Sequence, residues 1–565
     1  MKNYSGKKRG VLQVVFGRTA IIVISLLIQL FILIYTTRWL TEYSTIIYYG
    51  CILLGVVVAV HIMNNNDNAS FKLAWIIPVL IVPVFGAIFY VFVYNQFETR
   101  AIKKTFAKLD EQLKPAYKQN EKLMDRIKDE SDGEYGIAKY LYNAGRFPVY
   151  DNCQTEFFPL GQDKYKEMIK QLESAEKFIF MEYFIVAEGK MWNSILEILK
   201  KKAAEGVEVR FMYDGTCSLM LLPYGYYKEL AKYGIKSVPF SQIRPALSTY
   251  QNNRDHRKIL IVDGKVAFTG GINLADEYIN EIERFGYWKD TAIMVKGKAV
   301  KTFTTMFLEM WNVAVKNGDI TVHDIEKYVD CTDEYFDSCM NDDTKKHGVS
   351  ENIINICTDN IKRNDCGYGK VPVNSNYECL LRSGGYVIPY SDDPFTDERI
   401  GKQVYIDILN RASKYVHIMT PYLILDDEMV LALKYCAKRG VETIIIMPHV
   451  PDKIYAYLLA RTYYKDLLES GVKIYEYTPG FVHAKLFVSD DLRGVVGTSN
   501  LDFRSLYLHF ECCMYIYKND AISDIERDYQ YTLSQSQEIT VKECDEYPWI
   551  KRIAGSLLRF IAPLM

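Results

Sequence analysis

His256-Arg257-Lys258-Ile259-Leu260-Ile261-Val262-Asp263-Gly264 decides the fold, and it has a twin in His483-Ala484-Lys485-Leu486-Phe487-Val488-Ser489-Asp490. Both read His-x-Lys-x4-Asp. Fourteen residues past each histidine stands a glycine (Gly270, Gly497), and seventeen past it an asparagine (Asn273, Asn500). One such motif is a weak signal; two with matching offsets are not chance. Histidine and lysine two apart in an extended chain share a face, so each copy presents an imidazole beside an ammonium. The residues that follow, 259–262 and 486–488, are apolar at both parities, as in a strand covered on two sides. Asp263-Gly264 reads as a tight hairpin turn. Asp263 lies at odd parity from His256, so it serves either the chemistry or the turn; Asp490 stands in the same position.

Working outward, each motif closes a longer repeat. Ala175-Glu-Lys-Phe-Ile and Ala412-Ser-Lys-Tyr-Val each open a strand rich in β-branched and aromatic residues. An amphipathic helix follows each, over 192–204 and 429–437, ending at Gly206 and Gly440 before a further apolar run. Gly234-Ile-Lys and Gly471-Val-Lys repeat the helix-to-strand step. Such alternation predicts an α/β fold, a mixed sheet with helices on its faces in each of two pseudo-symmetric halves, residues 147–317 and 373–540. Residues 98–146 are charged and helical in pattern and are read as a stalk. Residues 318–372 are polar, contain cysteines and lack a clear period, which marks a linker or insert. Residues 541–565 form an amphipathic helix with Ile550, Ile553, Leu557, Ile561 and Leu564 on one face; the pattern fits interfacial and core-packing helices equally.

Residues 1–97 are a membrane anchor with two to three transmembrane segments. Apolar runs over 20–35, 46–62 and 73–94 are bordered by Tyr35, Trp39, Tyr43, Trp75 and Tyr94, which suit the headgroup layer. Basic residues precede the first run (Lys2, Lys7, Lys8, Arg9, Arg18) and follow the third (Arg100, Lys103, Lys104, Lys108), and both clusters favour the cytoplasm. Three full crossings cannot satisfy both. Pro78, Pro83 and Gly86 allow the third run to re-enter instead. Twelve cysteines without a C-x-x-C pair fit a reducing compartment, placing the folded body in the cytoplasm of a multi-pass protein of the cell membrane.

The 565 residues carry 68 Lys+Arg against 70 Asp+Glu, a net charge of −2, which argues against a nucleic-acid partner. Hydrophobic residues at 49% exclude general disorder. The spacing of cysteines and carboxylates provides no metal motif, and neither a metal nor a cofactor is expected.

The doubled motif with its trailing Gly and Asn resembles the phospholipase D superfamily, and most closely the bacterial cardiolipin synthases. The resemblance rests on Arg254-Asp-His-Arg-Lys-Ile-Leu-Ile-Val-Asp-Gly, Gly270-Gly-Ile-Asn-Leu-Ala-Asp-Glu-Tyr, Gly480-Phe-Val-His-Ala-Lys, and Gly497-Thr-Ser-Asn-Leu-Asp-Phe-Arg-Ser with Phe510-Glu511. It implies a phosphatidyltransferase in a lipid bilayer that joins two phosphatidylglycerols into cardiolipin and glycerol. The intermediate would be a phosphatidyl-histidine. His256, Lys258, Asp263, His483, Lys485 and Asp490 are the implied catalytic set, with His256 as nucleophile and His483 as acid and base. Lys258, Lys485, Asn273 and Asn500 would hold the phosphate oxygens, and Glu511 and Asp290 would orient the imidazoles. The rival readings are a phospholipase D-type hydrolase releasing phosphatidic acid and a catalytically inactive membrane scaffold.

Overall fold

Two sheets grow from the two repeats. The computed structural model describes residues 18–43, 45–94, 97–113, 117–217, 221–241, 252–315, 321–347 and 384–564. In the first lobe seven strands run in the spatial order Gln154–Phe158, Ala292–Lys296, Val266–Gly270, Ile259–Val262, Phe178–Tyr183, Glu208–Asp214, Lys236–Phe240. The last three pair in parallel and the others antiparallel, so the sheet is mixed. The second lobe repeats this order in Tyr386–Asp392, Glu511–Tyr517, Arg493–Gly497, Leu486–Ser489, Tyr415–Met419, Glu442–Pro448, Lys473–Tyr477, and adds the antiparallel edge strand Ser536–Ile539. Motif strands Ile259–Val262 and Leu486–Ser489 lie inside their sheets and are buried throughout, because residues at both parities meet a covered face.

Helices Lys190–Ala204 and Asp427–Lys438 occupy equivalent places. The first buries Met191, Trp192, Ile195 and Leu199, the second Met429, Ala432, Leu433 and Cys436, the spacing of one helical face. A separate two-stranded ladder and an isolated bridge join the lobes. Tyr287–Lys289 pairs in parallel with Gly480–Val482, and an isolated bridge joins Asp255 to Phe510.

Three segments depart from the sequence reading. The stretch read as a stalk is helical (Phe97–Leu113, Glu121–Glu130, Asp132–Gly145) but packs on the body, with Phe106, Leu123, Ile127 and Leu141 buried. Its Glu134, also buried, accepts hydrogen bonds from Arg411, Arg493 and Tyr515 of the second lobe. The start of the insert is a helix, Val322–His347, whose Ile325 and Val329 are buried and whose Tyr328 packs on Phe178 and Phe180. Residues 348–372 of that insert lie outside the described residues. The C-terminal segment is two helices, Val541–Glu546 and Trp549–Ile561.

The third apolar run is broken. Helices Ala69–Ile81 and Pro83–Tyr94 are separated by Val82 alone, yet a Cβ on Gly86 would stand 2.5 Å from the Pro78 carbonyl oxygen. Eight residues of continuous helix would separate those positions by about 12 Å, so the chain doubles back. Proline cannot continue the preceding helix's hydrogen bonding, and glycine lets the returning arm close on the outgoing one. The tip of this hairpin reaches Gly55, near the middle of helix Thr45–Asn64, with Pro83 Cβ 3.6 Å from a Cβ built there. By Tyr90 the returning arm is again beside His61, close to where the hairpin began. Among the described residues Thr45–Asn64 is the helix long and apolar enough to cross a bilayer.

Candidate active site

The catalytic-type side chains gather where the lobes meet. His256 and Lys258 stand just before their strand, and His483 and Lys485 sit between Gly480–Val482 and Leu486–Ser489. The backbone N–H of His256 donates to Phe510 O (3.0 Å), and that of His483 donates to Lys289 O (2.7 Å). Each histidine is therefore held by the opposite lobe, one residue before a carboxylate. His256 Nδ1 lies 2.9 and 3.0 Å from the Glu511 oxygens, and His483 Nδ1 lies 2.6 Å from Asp290 Oδ2.

The two carboxylates are symmetry mates. Gly270 pairs with Ala292 and Gly497 with Cys513, so Asp290 and Glu511 each stand two residues before the partner of the motif's trailing glycine. That glycine is needed for the approach: Gly270 has φ +141, and a Cβ there would come within 2.5 Å of the Ala292 backbone. The repeats then diverge. A Cβ on Gly271 would strike Asp290 Oδ1 at 2.0 Å, whereas its counterpart Thr498 donates its hydroxyl to Glu511. The shorter carboxylate goes with the smaller neighbour.

Burial sets the protonation. It holds His256 well below the ordinary 6.5, helped by Lys258, His509, Lys485 and His483, so each lobe's charges act on the other lobe's imidazole. His483 falls to about 4, by burial first and Lys485 next. Burial also lowers Lys258 to about 7 and Lys485 to about 8, against the pull of Glu511 and Asp290. Glu511 is pushed well above the usual carboxylate range by burial. Both imidazoles are thus neutral near neutral pH, with Nδ1 committed to a carboxylate and Nε2 left for chemistry. Phe184 packs 4.9 Å from His256, and Trp288, Tyr278 and Phe481 surround His483 at 5.4–5.7 Å. Two nucleophile-type rings, two ammoniums and apolar walls suit transfer of a phosphoryl-type group through a covalent intermediate.

Comparison with known proteins points the same way. The family model described as "Cardiolipin synthase, PLD-like domain" matches residues 168–311 and 405–533, and "Phospholipase_D-nuclease N-terminal" matches residues 53–93. A Bacillus anthracis protein named cardiolipin synthase 2 is 30% identical over 514 residues, covering 91% of this chain and 90% of its own. The chain belongs to the cardiolipin synthase family of phospholipase D-like proteins. An uncharacterized protein of Streptococcus mutans serotype c is 44% identical over 505 residues, covering 89% of this chain and 99% of its own. The crystal structure of a phosphatidylserine synthase from Haemophilus influenzae Rd KW20 shares the fold at TM-score 0.52 and 15% identity, covering 77% of this chain and 98% of that one.

Within this cardiolipin synthase-family site the motif aspartates need a correction. Asp263 accepts backbone N–H groups of Glu176, Lys177 and Phe178 (2.9, 2.7 and 2.9 Å), and Asp490 those of Ser413, Lys414 and Tyr415 (2.8, 2.8 and 3.0 Å). Both are turn residues with positive φ (54° and 57°). They tie the far end of the motif strand to the start of its neighbour in the sheet, a turn role and not a catalytic one. Asn273 accepts from Ile185 N and donates one Nδ2 hydrogen to Tyr278 Oη, so only its second amide hydrogen stays available. Asn500 Nδ2 lies 3.2 Å from Asp502 Oδ2. Lys258 Nζ donates to His256 O (2.6 Å), and Lys485 Nζ donates to His483 O.

The sequence reading missed His509. Its ring centroid is 5.5 Å from that of His256, and its Nδ1 is 3.8 Å from Glu511 Oε1. A π-type turn delivers it: the His509 N–H bonds to Arg504 O, five residues back. The available signal was its place two residues before Glu511, on the same face of an extended chain.

Proposed function

We propose that this chain is a cardiolipin synthase that joins two phosphatidylglycerol molecules, releasing glycerol. The crossed His256–Glu511 and His483–Asp290 pairs carry the reading. His256 Nε2 attacks phosphorus of the donor lipid, forming a P–N bond. The bond to the headgroup glycerol breaks, and that oxygen takes the proton of His483 Nε2. The anionic phosphorus centre raises the His483 pKa, so this proton arrives with substrate. His483 then takes a proton from the primary hydroxyl of the second phosphatidylglycerol. The freed oxygen attacks phosphorus, the P–N bond breaks, and His256 is restored. Lys258, Lys485 and the free amide hydrogens of Asn273 and Asn500 receive the phosphate oxygens. One diester replaces another, so the energy of the bond is conserved and no nucleotide enters.

Water competes with the lipid alcohol, and the anchor supports transfer over hydrolysis by keeping the site at the bilayer. Asn68 and Phe71, at the start of the re-entrant hairpin, contact Tyr507 and Phe503, on the segment that runs from Asn500 to Glu511. A hairpin that returns to its side of entry accommodates basic clusters on one face, with the catalytic body in the cytoplasm. The eight cysteines among the described residues are free thiols. Lipid analysis after incubating purified protein with phosphatidylglycerol vesicles tests the reading. Cardiolipin with equimolar glycerol is expected, lost in His256→Ala and His483→Ala. Phosphatidic acid alone would overturn synthesis in favour of hydrolysis.

A further inference from the structure

We propose that His256, His509 and Glu511 form a binding site for a zinc-type divalent cation, and that occupancy of this site shuts the enzyme off. Their ligand atoms lie within 4.8 Å of one another, and all three residues are buried. Two imidazoles and a carboxylate are a donor set that zinc favours over magnesium or calcium. Ligand atoms about 2.1 Å from a tetrahedral zinc stand about 3.4 Å apart. The separations of 2.9 Å (His256 to Glu511) and 3.8 Å (His509 to Glu511) bracket that value. The third pair, His256 to His509, lies within the same 4.8 Å limit.

The second observation is His509 itself. Its side chain is 8% exposed, and neither ring nitrogen has a hydrogen-bond partner among the described residues. A buried imidazole facing a carboxylate and another imidazole without a hydrogen bond is costly unless something binds there. The cation takes Nδ1 of His256, so the ring proton moves to Nε2 and the lone pair needed for attack is lost, while a proton held by Glu511 leaves to solvent. Lys258 and Lys485 oppose the cation electrostatically, which limits its affinity. Binding stands on geometry alone; inhibition also rests on His256 being the nucleophile.

The test uses the full-length protein in detergent. Zinc binding is measured by calorimetry and by the visible absorption of bound Co2+, beside cardiolipin formation with Zn2+ or Mg2+ present. Wild type is expected to bind zinc and to lose activity with zinc but not with magnesium. His509→Asn is expected to keep metal-free activity and to weaken zinc binding and inhibition by at least about tenfold. His509→Gln serves as a second variant, and melting curves establish that each is folded. Equal zinc affinity in folded wild type and both variants would overturn the proposal, as would equal inhibition by magnesium. If the protein makes no cardiolipin yet binds zinc through His509, the metal site stands and the synthase reading falls.

Discussion

Lys258 is held in the site at a cost to the fold. Its folded pKa of about 7 lies below its ordinary 10.5 because it is buried. Between those values the unfolded chain binds more protons than the folded one, so this group makes stability rise with pH from about 7 to about 10.5. Activity runs the opposite way. With Lys258 as the proposed phosphate-binding ammonium, lost as pH climbs through about 7, kcat/KM is expected to fall on that alkaline limb, while His256, neutral well below 6.5, stays competent into mild acid. Lys258→Met is expected to abolish cardiolipin formation and to stabilise the folded protein at pH 7 by up to about 4 kcal/mol, read from melting curves at pH 7 and pH 10. A variant less stable than wild type at pH 7 would contradict this. At this scale the sequence was legible where residues repeat. The His and Lys pairs stood out by duplication, and Asp290 and Glu511 by the resemblance. The motif aspartates were ambiguous, because parity places a side chain on a face but does not say which backbone amides it meets. His509 has no twin, since its aim depends on a π-type turn that spacing cannot announce.

Among the elements, the C-terminal helix resolves a choice that its pattern left open. Trp549, Ile550, Ile553, Leu557, Phe560 and Ile561 all stand exposed, while Gly555 presses against the Leu458 carbonyl of the neighbouring helix. The apolar stripe thus faces outward, beside exposed Ile454 and Tyr455 of that neighbour. This suits a headgroup layer and not a protein core. Ile553→Glu with Leu557→Glu is expected to leave the melting temperature unchanged. Turnover on phosphatidylglycerol bilayers should fall about tenfold, while turnover on short-chain lipid in micelles persists. Equal losses on both substrates would assign the helix a structural role. An amphipathic pattern identifies two faces without naming the solvent for either, which is why sequence could not decide. The helical hairpin was partly legible, because Pro78, Pro83 and Gly86 marked a weak point. Only the Gly86 contact reveals a reversal and not a kink.

Across the whole molecule, the seam between lobes controls the site. Lys289 Nζ donates to both Asp528 oxygens (2.8 and 2.7 Å) and to Pro159 O (2.6 Å), and its own carbonyl accepts the His483 N–H. Removing one partner of a buried ion pair costs about 3–5 kcal/mol. Asp528→Ala is therefore expected to lower the melting temperature and kcat together, with KM for phosphatidylglycerol little changed. A stability loss with unaltered kcat would show that the seam does not position His483. The pseudo-symmetric fold was legible from its strand–helix–glycine cadence. The packing of the helices before the first lobe was not, because charge on a helix marks a wet face and hides the buried one. The exchange of carboxylates between lobes has a hereditary consequence. A lesion in the acidic residue of one half is expected to disable the histidine of the other, so neither half can drift, be borrowed or decay on its own account.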